Sequence, residues 1–362
     1  MAGLSCILLL SLPKKKKIVC LHNRTDHKQE NMTDFKFTIN NASTILKFQQ
    51  LIDCVNDAIS QNVLRAGDIL PSVNQVCNEN SLSRDTVFKA YAELKKRGII
   101  ESVPNRGYFI SQATVKVFLF LDTFKAYKEV LYHSFRDNLP ENVAVDLHFH
   151  HYNIDVFEKI VKESIGKYTK YIIMNFDHPK VKEITSLIPA QKLLIIDWIA
   201  NSDNEQSKVY QDFGQPVYNC LSENINLIRK YEKFIYLYPE FTYHPISSIE
   251  YFLKFANDFS IHHSVLKDFK KLNIQKGELY LLVSDRTLAK ILDQCEQKRL
   301  VPGIDVGIIS YNETPMKKYV KNGITVLSTD FELMGQKAAE FVATGEKMNF
   351  CVPTRLKIRS SL

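Results

Sequence analysis

Cysteine is scarce in this chain and never stands at metal-ligand spacing. The seven present, Cys6, Cys20, Cys54, Cys77, Cys220, Cys295 and Cys351, are scattered and odd in number. That argues against a disulfide framework and a zinc site, and leaves idle thiols in a reducing cytosol. Long hydrophobic runs are also lacking. Leu4 to Leu12 is far short of the roughly 20 residues a membrane helix requires. Lys14 to Lys17 follow that run, whereas a secretory leader carries its positive charge in front. There is no Gly-rich phosphate loop, no Gly-x-Ser-x-Gly elbow and no pyridoxal-type signature, so no enzyme motif stands out. Internal repeats of short period and low-complexity segments are absent. Tryptophan occurs once, at Trp198. Neither sign of charge dominates: 47 Lys and Arg against 40 Asp and Glu give +7. Such a value permits nucleic-acid binding without demanding it, so the placement of the cations matters more than their sum.

What is present suits two globular domains behind a tail. The chain has 362 residues, 45% of them hydrophobic, which is too long for one small core and too apolar for disorder. Residues 1–40 are expected to form a disordered tail, because Lys14 to Asp34 is polar and aperiodic. Met32 offers an alternative start, so the residues before it need not be native. With no spanning segment, a cytoplasmic, non-membrane protein is expected.

The first regular pattern begins near Thr44. Phe48, Leu51, Ile52, Val55, Ala58 and Ile59 recur at helical spacing. Gly67 and Asp68 break it. Pro71 and Ser72 open a second helix, with Ser72 and Gln75 placed as a capping box and Val73, Val76 and Cys77 facing inward. After a polar turn, Ser83 caps a third helix whose apolar face is Val87, Ala90, Tyr91 and Leu94, ended by Gly98. The strand-like runs Ile99 to Val103 and Tyr108 to Ile110 flank the tip Pro104-Asn105-Arg106-Gly107. Three helices followed by a hairpin predict a winged helix-turn-helix over residues 41–112.

Beyond Ser111 to Thr114 the rhythm changes. Apolar runs at Val115 to Leu121, Val143 to Leu147, Tyr171 to Met174, Leu193 to Ile196, Phe234 to Leu237, Leu279 to Val283, Val306 to Ser310 and Ile324 to Leu327 alternate with amphipathic stretches. Continuous apolar strands between helices signify parallel sheets covered on both faces. The expected fold class is therefore α/β: a winged helix-turn-helix plus a two-lobed domain over 113–362 with doubly wound sheets. Ligands of such sheets bind at the carboxyl ends of the strands.

The third helix carries Arg84, Lys89, Lys95, Lys96 and Arg97, and the hairpin tip carries Arg106. Such a helix start suits the major groove, where Arg bridges the acceptor edge of guanine, and its hydroxyls and free amides suit phosphates. Arg106 beside Gly107 can reach the minor groove. From charge alone, a solvated helix face explains the same cations equally well. The blocks Gly67-Asp68-Ile69-Leu70-Pro71-Ser72, Leu82-Ser83-Arg84-Asp85-Thr86-Val87, Ala90-Tyr91 with Leu94, Gly98-Ile99-Ile100 and Gly107-Tyr108-Phe109-Ile110 resemble the GntR family of winged-helix regulators over Ile45 to Ser111. The resemblance implies a double-stranded DNA operator contacted by Ser83, Arg84, Thr86 and Gly107, to which charge adds Lys89 and Arg106. Asn74 and Phe88 stand where the family often has Arg.

The chain's end resembles something else. Pro302-Gly303-Ile304-Asp305-Val306-Gly307-Ile308-Ile309-Ser310-Tyr311-Asn312-Glu313-Thr314, the block Thr329 to Ala339 and the ending Pro353 to Ser361 are similar to the LacI-family effector domain. A GntR reader joined to such a sensor is the arrangement of arabinose- and fucose-responsive repressors. It implies a monosaccharide effector, L-fucose- or L-arabinose-like, a homodimer on a palindromic operator, and a repressor released by sugar, with no cofactor. A sugar site needs carboxylates or amides for the hydroxyls and an aromatic wall. The family's strand ends point to Asp122, Thr123 and Phe124; Asn175 and Asp177; Asp197 and Trp198; Gln211 and Asp212; Ser284 and Asp285; and Asn312. Asp285 and Asn312 are the foremost of these. Trp198 serves either core packing or stacking on sugar. An Arg that the family often supplies after the fifth long strand is missing between Tyr236 and Lys254, where His244 is the substitute. His148 and His150 share one face of a strand, but two histidines without a third ligand are better read as a solvated edge strand than as a metal site. The competing class is a carbohydrate-active or carbohydrate-binding protein with no DNA role.

Overall fold

The computed structural model describes residues 35–362 apart from 62, 105, 112–114, 141–142, 200–205 and 269–271. Most of the expected tail, with Cys6, Cys20 and Met32, lies outside the described residues, as does Asn105 at the hairpin tip.

Helical apolar spacing produces helix α1, Lys47–Ser60, which buries Leu51, Ile52, Val55, Ala58 and Ile59. Ser72 caps α2, Val73–Asn80, its side chain accepting from Gln75 N at 3.2 Å. Ser83 caps α3, Arg84–Lys96, in the same way, accepting from Thr86 N at 3.2 Å. Such caps satisfy first-turn amides and contribute about 1 kcal/mol each. Strands β1, Ile100–Val103, and β2, Gly107–Ile110, pair antiparallel with Val103 opposite Gly107. Ile69 bridges to Phe109, adding a third strand segment to the wing. Tyr91 ties the domain together: fully buried, it donates to Pro71 O at 2.7 Å and meets the Tyr108 ring edge-on. Phe37 is buried in this same core, so packing begins ahead of the boundary expected at residue 41.

The rest of the chain forms two lobes, each around a six-stranded sheet. The first lobe uses β3 (Val115–Leu121), β4 (Val143–Phe149), β5 (Lys170–Met174), β6 (Leu193–Asp197) and β7 (Ser207–Tyr210), with helices α4 (Ala126–Asp137), α5 (Ile154–Ser164) and α6 (Pro179–Thr185). The chain then crosses into the second lobe, α7 (Gln215–Glu223), α8 (Ile225–Ile228), β8 (Lys233–Leu237), α9 (Ser247–Asp258), β9 (His263–Leu266), β10 (Glu278–Leu282), α10 (Asp285–Lys298), β11 (Gly307–Tyr311) and β12 (Thr325–Thr329). It returns at Asp330 for α11 (Phe331–Thr344) and β13 (Asn349–Cys351), then crosses again to β14 (Thr354–Lys357). Strand orders are β13-β7-β6-β5-β3-β4 and β14-β12-β11-β10-β8-β9, parallel except where β14 meets β12. Central strands are buried end to end, as in β5, β6 and β11, which is why they read as unbroken apolar runs.

The crossing segments are bonded to one another. Val352 N donates to Tyr210 O at 2.6 Å and Asp330 N to Pro353 O at 3.1 Å. Close helix packing secures the first lobe: a Cβ on Gly335 of α11 would stand 2.5 Å from Leu131 O of α4. The winged helix also touches this lobe. Arg97 at the end of α3 donates to Gly166 O at 2.5 Å, and buried Lys192 pairs with Asp57 of α1 at 2.6 Å.

One expectation fails at the end of β4. His150 is not on a solvated strand but fully buried, with Nε2 3.0 Å from Met174 O and its ring stacked on Phe176. The residue lies past the strand's last pair, where the chain turns back under α5. Burial lowers its pKa to about 3, which keeps the ring neutral. No group of three or more His, Cys, Asp or Glu that could hold a metal ion occurs among the described residues.

Candidate functional site

Two surfaces carry chemistry. The first is the exposed face of α3 with the wing. Ser83 Oγ, besides its cap, lies 2.8 Å from Thr86 Oγ1. The two hydroxyls are thus fixed at the helix start, where partial positive charge favours phosphate. Arg84 and Phe88 are exposed, the guanidinium 5.8 Å from the ring centroid. Lys89 turns toward α1, its ammonium 4.3 Å from the Phe48 ring. Of the other α3 cations, Lys95 bonds Ser102 Oγ at 2.7 Å, and Arg97 is committed to Glu93 and the first lobe. Arg106 and Gly107 are exposed at the wing, and Gly107 has φ +86° with open space beyond its Cα. Its requirement is therefore conformational: left-handed backbone at a hairpin tip.

The second surface is a cleft of ≈ 700 Å³ lined by the carboxyl ends of strands from both lobes, within the range of small-molecule sites. Asp122 follows β3 and is saturated by the protein: buried Lys128 of α4, the Tyr152 hydroxyl and Thr123 N all donate to it. Burial lowers the Lys128 pKa to about 8, against the pull of Asp197. Asp197 ends β6 with φ +71°, a left-handed conformation uncommon outside glycine. Its carboxyl pKa is raised by burial, opposed by Lys128 and by the bond from Gln211. Gln211 Oε1 in turn accepts from Thr329 Oγ1 at 2.6 Å, and Thr329 meets Thr354 at 2.7 Å. A buried polar chain therefore runs from the cleft into the segments that cross between lobes.

Three polar side-chain atoms in the cleft wall are buried without a protein partner: Asn175 Oδ1, His244 Nε2 and Asn312 Oδ1. Buried polar atoms are nearly always bonded, so three orphans in one cleft mark it as a candidate recognition surface. Burial, reinforced by Lys125, lowers the His244 pKa to about 3. The ring is neutral and packs edge-on against Tyr311 and Phe213. Asn312 has φ +59° at the end of β11, which Asn tolerates better than most residues. Asp285 pairs with buried Lys317 at 2.8 Å. Across the cleft, Tyr152 of the first lobe and Tyr243 of the second stack with centroids 3.7 Å apart and planes 2° from parallel.

Of the residues expected from sequence, Asp122, Trp198, His244, Asp285 and Asn312 line this cleft, with Asn175, Asp197, Gln211 and Ser284. Trp198 lines the cleft and packs against apolar clusters of both lobes. Phe124, Asp177 and Asp212 do not line the cleft. Phe124 is 47% exposed and packs edge-on against Tyr132 and Phe149. Asp177 is exposed, because past β5 the chain aims Asn175 inward, buries Phe176 and turns Asp177 out. Asp212 accepts from Gly214 N at 2.8 Å and shapes the turn into α7. The three residues that stay outside the cleft stand one or two positions along the chain from residues that line it. Sequence reading missed Lys125, Tyr127, Tyr152, Tyr243, Arg286, Lys290, Thr314 and Lys317. The neighbours Arg286 and Lys290 could have been found from their helical spacing behind Asp285.

The chain is thus a winged helix-turn-helix followed by two doubly wound lobes around a cleft. Comparison with known proteins makes it particular. Residues 47–110 match the family model described as bacterial regulatory proteins, gntR family, so the amino-terminal domain is a GntR-family helix-turn-helix domain. Over 65 residues the chain is 35% identical to the HTH-type transcriptional repressor YtrA of Bacillus subtilis (strain 168), covering 18% of this chain and 50% of that protein. Over 70 residues it is 34% identical to the uncharacterized HTH-type transcriptional regulator YcxD of the same organism, covering 19% of this chain and 16% of that one. The chain thus spans half or less of these relatives. The two lobes have the LacI-family fold. The trehalose repressor from Escherichia coli superposes with TM-score 0.57 at 12% identity, over 67% of this chain and 99% of that one. A LacI family regulator from Lactobacillus casei with bound sucrose superposes with TM-score 0.59 at 14% identity, over 69% and 100%.

Proposed function

We propose that this chain is a ligand-controlled transcription regulator. Its winged helix holds an operator, and a monosaccharide in the interlobe cleft changes that grip. The observation that carries the reading is the convergence of Asn175, His244 and Asn312, each with a buried unpartnered polar atom, on a cleft whose walls also hold Trp198 and Tyr127. Amides and a neutral imidazole suit hydroxyls, and an aromatic wall suits the apolar face of a sugar ring. Neutral saccharides of the fucose or arabinose kind are the first to test.

In this mechanism Arg84, Ser83, Thr86 and the wing residues Arg106 and Gly107 contact DNA, Arg84 reading base edges and the others the backbone. Sugar bridges the lobes and favours the closed arrangement. Closure repositions the second lobe about the crossing segments, while the Arg97–Gly166 and Asp57–Lys192 contacts make the winged helix follow the first lobe. A homodimer would turn that motion into a change in the spacing of two reading heads, and release of DNA makes the protein a repressor. In this reading the protein works in the cytoplasm, beside its operator; no helix among the described residues is long and apolar enough to cross a membrane.

A thermal-shift screen of the chain against L-fucose, L-arabinose, glucose, galactose and xylose tests the sugar half of this reading. A ligand at about 100 times its Kd stabilises the folded state by roughly 2.7 kcal/mol. A screen with no shift for any saccharide, neutral or charged, would sink it.

A further inference from the structure

Charge in the cleft does not balance. Its carboxylates are spent: Asp122 on Lys128, Asp285 on Lys317. Asp197 is buried, with its pKa raised. Three cations lining the same cleft, Lys125, Arg286 and Lys290, have no carboxylate partner among the described residues. Arg286 and Lys290 stand four residues apart on α10, on one helical face. Lys125 faces the cleft from the other lobe, at the start of α4.

Two helix amino termini reinforce this. Lys125 is the N-cap of α4 and Ser284 the N-cap of α10, and neither supplies a side-chain cap bond. Both caps line the cleft, so the positive ends of two helix dipoles adjoin the three cations. Independently, Asn175, 6% exposed, keeps an unpartnered amide oxygen in the same wall. That atom wants a hydroxyl, whereas the cations want an anion.

Resting on the sugar reading above, we infer that the effector is an anionic sugar, specifically a phosphorylated monosaccharide. Its hydroxyls meet Asn175, His244 and Asn312, and its phosphate lies between Lys125, Arg286 and Lys290. A phosphate carries about −1.5 to −2 charges at neutral pH, which suits three unpaired cations better than the single charge of a sugar acid. Arg forks onto phosphate oxygens, and Lys adds point charge. Such a ligand would report sugar already taken up and phosphorylated by a kinase-type reaction.

Isothermal titration of the full chain decides the matter. The probes are glucose, L-fucose and ribose, then glucose 6-phosphate, fructose 1-phosphate, ribose 5-phosphate, glucuronate and inorganic phosphate. The expected result is a sugar phosphate that binds at least about 10-fold tighter than its neutral parent, the scale of one hydrogen bond to a charged group, with affinity that falls as salt rises. Arg286→Ala and Lys290→Ala should each lower that affinity about 10- to 100-fold, and Lys290→Arg should restore most of it. These residues are exposed, and a thermal melt of each variant verifies the fold. A neutral sugar binding as tightly as its phosphate overturns the anionic effector but leaves the sugar reading standing. Inorganic phosphate binding as tightly as every sugar phosphate also overturns it, because the hydroxyl contacts would then contribute nothing. Glucuronate outbinding all phosphates replaces phosphate by carboxylate and refutes the specific claim. No binding by any probe overturns both readings.

Discussion

Replacing Gln211 with Leu keeps the side chain's bulk while removing the link between the cleft and the crossing segments. Gln211 is 5% exposed; it donates to the Asp197 carboxylate and accepts from Thr329. In the variant Thr329 keeps Thr354 as a partner, so its hydroxyl is not stranded. Asp197 loses the side-chain donor that holds its buried charge. A hydrogen bond to a charged group is worth roughly 1.5–3 kcal/mol, and an uncompensated buried acceptor costs a similar amount. The net loss should be about 2–3 kcal/mol, since the lost bond and the stranded acceptor are largely one effect. At about 2–4 °C per kcal/mol for a domain of this size, melting should fall by about 4–12 °C at neutral pH. Burial raises the Asp197 pKa, so the carboxyl protonates as pH falls and the stranded charge disappears. The deficit should therefore shrink in acid. Differential scanning calorimetry across pH measures both effects. An unchanged melting temperature, or a deficit equal at every pH, would refute the role given to Gln211.

Asp197→Asn probes the same carboxyl from the other side. A group whose folded pKa is raised contributes stability present below its ordinary pKa and lost as pH rises through the raised one, so the variant should be the more stable protein at neutral pH and show a flatter pH profile by urea denaturation. Arg84→Ala removes the expected base contact but only a surface ring contact in the protein; DNA affinity should fall about 5- to 150-fold, or 1–3 kcal/mol, in a gel-shift titration, with ligand affinity untouched. Gly335→Ala would place a methyl 2.5 Å from Leu131 O and 2.8 Å from Phe135 N; backbone must move, costing about 1–3 kcal/mol in urea midpoint analysis, and a neutral result would mean that α4 and α11 pack more loosely than described.

Much of this architecture was legible because the strong signals are local. The caps at Ser72 and Ser83 and the wing around Gly107 form within a few residues, and each was found where expected. Buried central strands betray themselves as apolar runs, as at β3, which spans the expected Val115 to Leu121. The strands that do not read as apolar runs, β7, β9, β13 and β14, are short, and β9, β13 and β14 sit at sheet edges. One face of an edge position meets solvent, so β14 alternates polar and apolar residues and the run disappears. In the cleft, strand ends could be located from the runs, but which residue faces inward depends on a turn. Past β5 it is Asn175 and not Asp177, and past β7 Gln211 and not Asp212, because Asp212 closes the turn onto Gly214. Lys125, Tyr152 and Tyr243 belong to loops whose approach is set by the lobes together, and nothing local marks them.

Selection from a random-sequence duplex pool with the purified 362-residue chain asks whether this protein reads DNA at all. A homodimer carrying GntR-type heads should enrich an inverted repeat whose binding weakens steeply with salt and whose recovery drops for Arg84→Ala. Rounds of selection at low salt that enrich no sequence would leave the winged helix without a sequence-reading role.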